Sequence, residues 1–281
     1  MQDLGSNQMM FSNGVNLQPS YFNGGNVDLA WALMKSHPKI KTVRIEIEPG
    51  QNINGQRWIA EAKAHGYSVI ATYHKFDALL SDDPEELLAA GQWWKDNYRM
   101  LGGAFTVNMM NEWGSHSVSA TALASAYNPA IALVREVYNG PIIIDCPGGG
   151  QETSVLATAV TGVNGERINE SNIILSAHFY PDSYNGAKGR SSQIDDLDGL
   201  EAVGKPCIIG EFGGMKTTKE QANLSAIVDH AKSKGWPVLG WAWNGDGGEM
   251  NMISPQFQPF KVGEPQKYIV SAYFDNVYSK L

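Results

Sequence analysis

The chain carries only two cysteines among 281 residues, Cys146 and Cys207. That number builds neither a disulfide framework nor a thiolate metal site. No apolar run approaches the ~18 residues needed to cross a bilayer, so no membrane partner is expected. Basic residues are the minority, 21 Lys and Arg against 29 Asp and Glu, giving a net charge of −8. They are scattered rather than clustered, which excludes a phosphate-binding stripe and so nucleic acid. No glycine-rich nucleotide loop follows an early strand; FNGGN at 22–26 lacks the G-x-G-x-x-G spacing. No histidine pair lies at ligand spacing on one strand, so no catalytic metal and no cofactor is expected. The opening MQDLGSNQMM has no basic start and no long apolar stretch, and is not a signal peptide. Either the protein is cytosolic, or a leader has been removed and Met1 is an addition. Two sequons, at Asn169 and Asn223, are of a kind that arises often by chance.

What the chain does have is glycine (30), tryptophan (8), tyrosine (11) and an apolar content of 43%. A chain of this length buries most of its unfolded surface. Eight short runs rich in Val, Ile and Phe recur along it: FSNGVNL, KTVRIEI, YSVIATYH, AFTVNMMN, PIIID, NIILSAHFY, PCIIGEF and PVLGWAWN. They are continuous rather than alternating, as parallel strands buried on both faces are. Helical patterns lie between them. The segment from Ser81 to Leu101 has Asp83 as N-cap, Pro84 at the first helical position and Glu86 three after the cap. Its apolar residues Leu87, Leu88, Gly91, Trp94 and Tyr98 recur at helical spacing. Thr217 and Glu220 read as a capping box, with Gly235 as the stop. The C-terminal stretch from Glu264 is expected to be one helix with Pro265 in its first turn. The weakest helix is ETSVLATAVTG, which is short and β-branched.

Eight βα units at about 30-residue spacing predict a single (β/α)8 TIM barrel spanning 1–281. No linker divides the chain. The glycine-rich PGGGQE and NGDGGEMN follow strands five and eight, which places them at the C-terminal rim, where barrels carry function.

The strand ends supply the chemistry. Strand two delivers Arg44, then Glu46 and Glu48. Strand three delivers His74, and strand four ends in Asn111, Glu112 and Trp113. Strand six brings His178 and Tyr180 on one face, strand seven Glu211, and strand eight Trp241 and Trp243, also sharing a face. Two glutamates facing across a barrel mouth suit glycosidic cleavage, where one carboxyl must be protonated and the other ionised. Arg44 and the Tyr180 hydroxyl favour an anionic Glu211; Glu112, beside Trp113 and near His178, has more reason to hold a proton. Asn111 and Glu112 are adjacent, so both reach one ligand only if the chain leaves ideal β geometry there. Arg44 and Glu46 share strand parity and also read as a plain ion pair. His74 and His178 also read as structural hydrogen-bonding residues, Trp241 as core, Trp113 as a wall behind the acid, and Trp93 and Trp94 as packing. Cys146 and Cys207 flank strand six and are separated by roughly 10 Å, too far to bridge.

The ordered set resembles glycoside hydrolase family 5: an early Arg on strand two, His on strand three, N-E at 111–112, H-x-Y at 178–180, G-E-F-G at 210–213 and W-x-W at 241–243. The resemblance runs over nearly the whole chain and implies a retaining enzyme. It assigns Glu112 as acid/base and Glu211 as nucleophile. It implies a sugar-binding set of Arg44, His74, Asn111, His178, Tyr180 and Trp243, with Trp113 beside it. N-E-W, and the ending W-x-W-x-G-x-G-G, are similar to the family's β-mannanases. The expected substrate is therefore a β-1,4-mannan, with a β-1,4-glucan as alternative and a catalytically silent sugar-binding barrel as a third reading. With a polymer as partner, an extracellular monomer is expected.

Overall fold

All eight apolar runs become strands of one closed parallel barrel, arranged in chain order around the ring. The computed structural model describes residues 11–214 and 219–281. The strands are β1 (Gly14–Leu17), β2 (Thr42–Ile47), β3 (Ser68–Tyr73), β4 (Thr106–Asn108), β5 (Ile142–Asp145), β6 (Ile173–Phe179), β7 (Cys207–Phe212) and β8 (Val238–Asn244). β1 pairs with both β2 and β8 and so closes the ring.

The continuous apolar runs have two faces to bury. Inward, Ile70, Ile143, Ile174, Ile208 and Leu239 meet Phe11 in a small apolar layer at the N-terminal end of the barrel. Outward, residues such as Ile45, Val107, Ile144 and Leu175 join the larger shell under the helices. Above the inner apolar layer the lining turns polar: Asn16, Arg44, Thr72, Asn108, Asp145 and Ser176 are all buried. Buried polar groups are normally paired, and most of these are: Arg44 donates to Asn16, Asn108 and Asp145, and Thr72 to Asn108, while the Ser176 hydroxyl has no partner among the described residues.

Among the described residues a helix follows each strand: α1 (Trp31–Lys35), α2 (Asn52–Ala64), α3 (Pro84–Asn97), α4 (Ala120–Arg135), α5 (Thr153–Thr161), α6 (Ile194–Glu201), α7 (Lys219–Ser233) and α8 (Phe274–Tyr278), with a single further turn at Pro147–Gly150 before α5. Asp83 caps α3 as expected, accepting the Glu85 N–H at 3.0 Å. The short β-branched segment after β5 is helical because Leu156, Ala159 and Val160 bury against the barrel. Thr217 lies outside the described residues, and with it the expected capping box to Glu220.

The expected C-terminal helix is a correction. Only Phe274–Tyr278 is helical; Ile269 and Val270 instead pair antiparallel with Ser254 and Ile253. Two β-branched neighbours with an available edge take strand geometry over a marginal helix. Cys146 and Cys207 are buried free thiols. Among the described residues, no helix is long and apolar enough to cross a membrane.

Candidate active site

A cleft of about 270 Å³ opens at the C-terminal end of the barrel. Glu46, His74, Asn111, Glu112, Tyr180, Glu211 and Trp241 line it, together with Gln18, Phe76 and Leu79. A larger cavity of about 430 Å³, bordered by Lys39, Lys41, Lys232 and Trp236, opens on the opposite face, away from the carboxylates.

Both strand-end glutamates enter the cleft by leaving regular strand geometry. Glu112 has φ of 49°, a left-handed conformation rare for a non-glycine residue. It is held there because its N–H donates to Asp145 Oδ2 at 3.2 Å and its carbonyl accepts from the Leu80 N–H at 3.3 Å. The turn is what lets Asn111 and Glu112, neighbours in sequence, face one cleft. On β7, Ile208 points inward, so strict alternation would turn Glu211 outward. The pairing steps from Ala177↔Ile209 to His178↔Glu211, so Gly210 is an extra residue that restores Glu211 to the inside. Only glycine fits at that bulge: a Cβ on Gly210 would lie 2.3 Å from Ser176 Oγ and 2.9 Å from His178 Nε2.

One carboxylate oxygen from Glu112 and one from Glu211 come within 4.8 Å of each other. His178 lies between them, its Nδ1 2.8 Å from Glu112 Oε1 and 3.6 Å from Glu211 Oε1. Glu211 accepts from Arg44 Nη1 at 2.9 Å and from the Tyr180 hydroxyl at 2.7 Å. Burial alone would raise the pKa of Glu211, but the His178 and Arg44 charges and the Tyr180 hydrogen bond bring it below the usual carboxylate value. Burial pushes the His178 pKa down, yet Glu211 and Asp145 outweigh it and hold the ring well above its ordinary 6.5.

Arg44 is the hub, fully buried at 0% exposure. Its Nη1 reaches Asn16, Glu46 and Glu211, each at 2.9 Å. Its Nη2 donates to Asn111 at 2.9 Å and Asp145 at 3.3 Å, and its Nε to Asn108 at 2.9 Å. Desolvation opposes its charge, but Asp145, Glu211 and Glu46 keep it cationic.

Two of the expected sugar-binding residues are elsewhere. Trp243 is 0% exposed and its indole N–H donates to the Leu29 carbonyl at 3.1 Å, in the shell between barrel and helices. Trp241 takes the place in the cleft. The parity argument failed because β8 leaves its register: the two steps from Val15 to Leu17 on β1 are matched by four steps on β8, from Gly240 to Asn244. Trp113 is 1% exposed, donates to the Asp83 carbonyl at 2.9 Å and packs edge-on to Tyr127; it is a wall, not a cleft residue. Asp145 and Asn16 were missed, although each sits at or near a strand end and was open to the same reading. Glu46, read first as an ion-pair partner of Arg44, is that and also a cleft residue.

Glu112, His178 and Glu211 have the spacing of a three-ligand cation site. Their donor chemistry points elsewhere: Arg44 and Tyr180 already occupy both Glu211 oxygens, and the neighbouring acids hold the His178 ring above its ordinary pKa, which disfavours metal ligation.

Residues 34–247 match the family described as Cellulase (glycosyl hydrolase family 5). The chain is 26% identical over 201 residues to a mannan endo-1,4-beta-mannosidase of Streptomyces lividans, covering 69% of this chain and 51% of that protein. It thus spans about half the length of the curated relative it matches. Its fold is similar to the catalytic domain of a mannanase from Streptomyces sp. SirexAA-E, with a TM-score of 0.73, 21% identity, and coverage of 96% of this chain and 85% of that one. It is also similar to the catalytic domain of an endoglucanase from Thermobifida fusca, at a TM-score of 0.71 and 18% identity, covering 96% and 91%.

Proposed function

Because the chain belongs to glycoside hydrolase family 5, we propose that it is a retaining endo-β-1,4-mannanase acting on mannan, galactomannan or glucomannan. The observation that carries this reading is the pair of carboxylates, with oxygens within 4.8 Å across one cleft. Retaining glycosidases hold their carboxyls about 5–5.5 Å apart, whereas inverting ones leave about 6.5–9.5 Å for a water.

In this reading Glu211 attacks the anomeric carbon while Glu112 gives its proton to the leaving glycosidic oxygen. Glu211 suits the first task because Arg44 and Tyr180 keep it anionic and aimed. A covalent glycosyl–enzyme ester forms, and a water deprotonated by Glu112 then releases the sugar. Asn111 and His74 offer polar contacts to ring hydroxyls, and Trp241 offers an aromatic wall to a pyranose face. The mannan preference is supported by the curated Streptomyces relative; the structural likeness to an endoglucanase favours a β-1,4-glucan as the second reading. A single chain supplies both carboxylates, which supports action as a monomer, and a polymer substrate too large to be taken up supports a location outside the cell.

The test is sugar release from galactomannan and from carboxymethyl cellulose by the wild type, Glu211→Ala and Glu112→Ala. Glu211→Ala should be inactive. Glu112→Ala should lose polymer cleavage by about 10²-fold or more, and recover on an aryl glycoside whose leaving group needs no proton. Near-normal rates in both variants would refute the assignment, and release from cellulose alone would move the substrate to glucan.

A further inference from the structure

Beside the carboxylate pair the cleft holds a second hydrogen-bonded network. It begins at the rim with Tyr21, in the turn Pro19–Tyr21 after β1, and Glu48, just beyond β2. The Tyr21 hydroxyl bonds both the Glu48 carboxylate and His74 Nδ1. Glu48 Oε2 also accepts the Phe76 N–H at 3.1 Å. A hydroxyl has one hydrogen to give, and an ionised carboxylate only accepts. Tyr21 therefore donates to Glu48, and His74 Nδ1 must donate to Tyr21. That leaves His74 Nε2 3.3 Å from Glu46 Oε2. This carboxylate oxygen is buried and has no hydrogen-bond partner among the described residues. Two lone pairs facing each other at that distance repel, so a further proton belongs between Nε2 and Oε2.

We propose that Tyr21 and Glu48 are positioning residues: by fixing His74 Nδ1–H toward the rim, they trap a proton between His74 and Glu46 beneath the cleft and so reserve Arg44 for Glu211. The competition is direct, because Arg44 Nη1 lies 2.9 Å from Glu46 Oε1 and 2.9 Å from Glu211 Oε1. While the proton is present, the His74–Glu46 pair has no net charge and makes little demand on Arg44. When it leaves, the pair becomes anionic, and two carboxylates contend for one guanidinium nitrogen.

The surrounding charges agree. Burial raises Glu46 to about 7 against the opposing pull of His74 and Arg44, with Glu211 and Glu112 adding to the rise. Burial lowers His74, but Glu46, Glu48 and Glu211 outweigh it and leave the ring above its ordinary value. Asp77 is the remaining acid that bears on Tyr21, besides Glu48 and Glu46. Removing the Glu48 charge, or the hydroxyl that links it to the ring, therefore lowers the pH at which the trapped proton is lost.

The inference rests on the glycosidase reading only in its kinetic arm. The direct measurement is a nitrogen-15 NMR titration of the His74 ring in the wild type, Tyr21→Phe and Glu48→Gln. In the wild type both ring nitrogens should stay protonated through neutral pH, and in both variants the ring should titrate about one unit lower. In kcat/KM on a β-1,4-manno-oligosaccharide, the alkaline limb should move down with it, an approximately tenfold loss on that limb. At the acid end of the profile, rates should stay within about threefold of wild type. A merely structural role would lower the rate evenly at every pH. A His74 ring that is singly protonated in the wild type at pH 6, or one whose titration neither variant moves, overturns the proposal. The NMR result stands whether or not any mannan is cleaved. Tyr21→Phe, nearly isosteric and at a partly exposed position, decides the matter should Glu48→Gln fold poorly.

Discussion

Asp145→Asn tests whether the polar floor of the barrel is held together by charge. Asp145 is 0% exposed. Its Oδ1 accepts Asn108 Nδ2 at 3.2 Å, and its Oδ2 accepts the Glu112 N–H at 3.2 Å and Arg44 Nη2 at 3.3 Å. Burial alone would raise its pKa, but His178, Arg44 and the Glu112 amide outweigh burial and bring it from 3.8 down to about 2. A shift of that size corresponds to roughly 2 kcal/mol of stability at neutral pH. The asparagine also turns an NH2 toward an existing donor, whichever way its amide is flipped, adding about 1–3 kcal/mol. The expected loss is about 3–5 kcal/mol, in the range for breaking a buried pair. It is read from guanidinium unfolding midpoints near pH 6, with the slope of each transition determined separately. Because the folded-state pKa is depressed, the charge contribution is complete above 3.8 and is lost as pH falls through about 2. The gap between wild type and variant should therefore shrink by roughly 1 kcal/mol at about pH 3. A gap under about 1 kcal/mol near pH 6, or one that does not narrow in acid, would refute the account of Asp145 as a charged brace.

The two tryptophans of β8 should separate cleanly. Trp243→Ala should cost about 3–5 kcal/mol by leaving a cavity in the helix–barrel shell, whereas Trp241→Ala should raise KM about tenfold or more with a much smaller stability loss. Unfolding midpoints and Michaelis constants check both, and the reverse pattern would restore Trp243 to the cleft. Gly210→Ala should destabilise by about 1–3 kcal/mol and lower kcat as well, since its methyl group must displace Ser176 or His178. An unchanged melting temperature would show that β7 relaxes its bulge without cost.

Much of the architecture was legible in the residues. Runs such as KTVRIEI and NIILSAHFY read as doubly buried strands because they are apolar without alternation, and each proved to be one. Helix α3 announced itself through Asp83 and Pro84. Arg44, His74, Asn111, Glu112, His178, Tyr180 and Glu211 were found by asking what stands at each strand end, and the structure brings all seven to one place. The C-terminal segment was not legible, because Ile269 and Val270 take their geometry from Ile253 and Ser254 rather than from their own periodicity. Asp145 was passed over although it closes PIIID, and its importance lies in partners drawn from β2, β4 and β6.

The order of strands and helices, the closed barrel that follows from them and the inventory of acids and aromatics at the rim were determined by the sequence itself, since hydrophobic pattern and capping act over a few residues. Which of those side chains face the cleft was decided only in three dimensions. Alternation assigns a face only while the backbone stays regular, and here it departs at the positions that matter. Glu112 turns in through a left-handed residue tied to Asp145, Glu211 through a bulge at Gly210 fitted against Ser176, and Trp241 through a shifted register against β1. Each departure is stabilised by groups distant along the chain, so no local pattern could encode it.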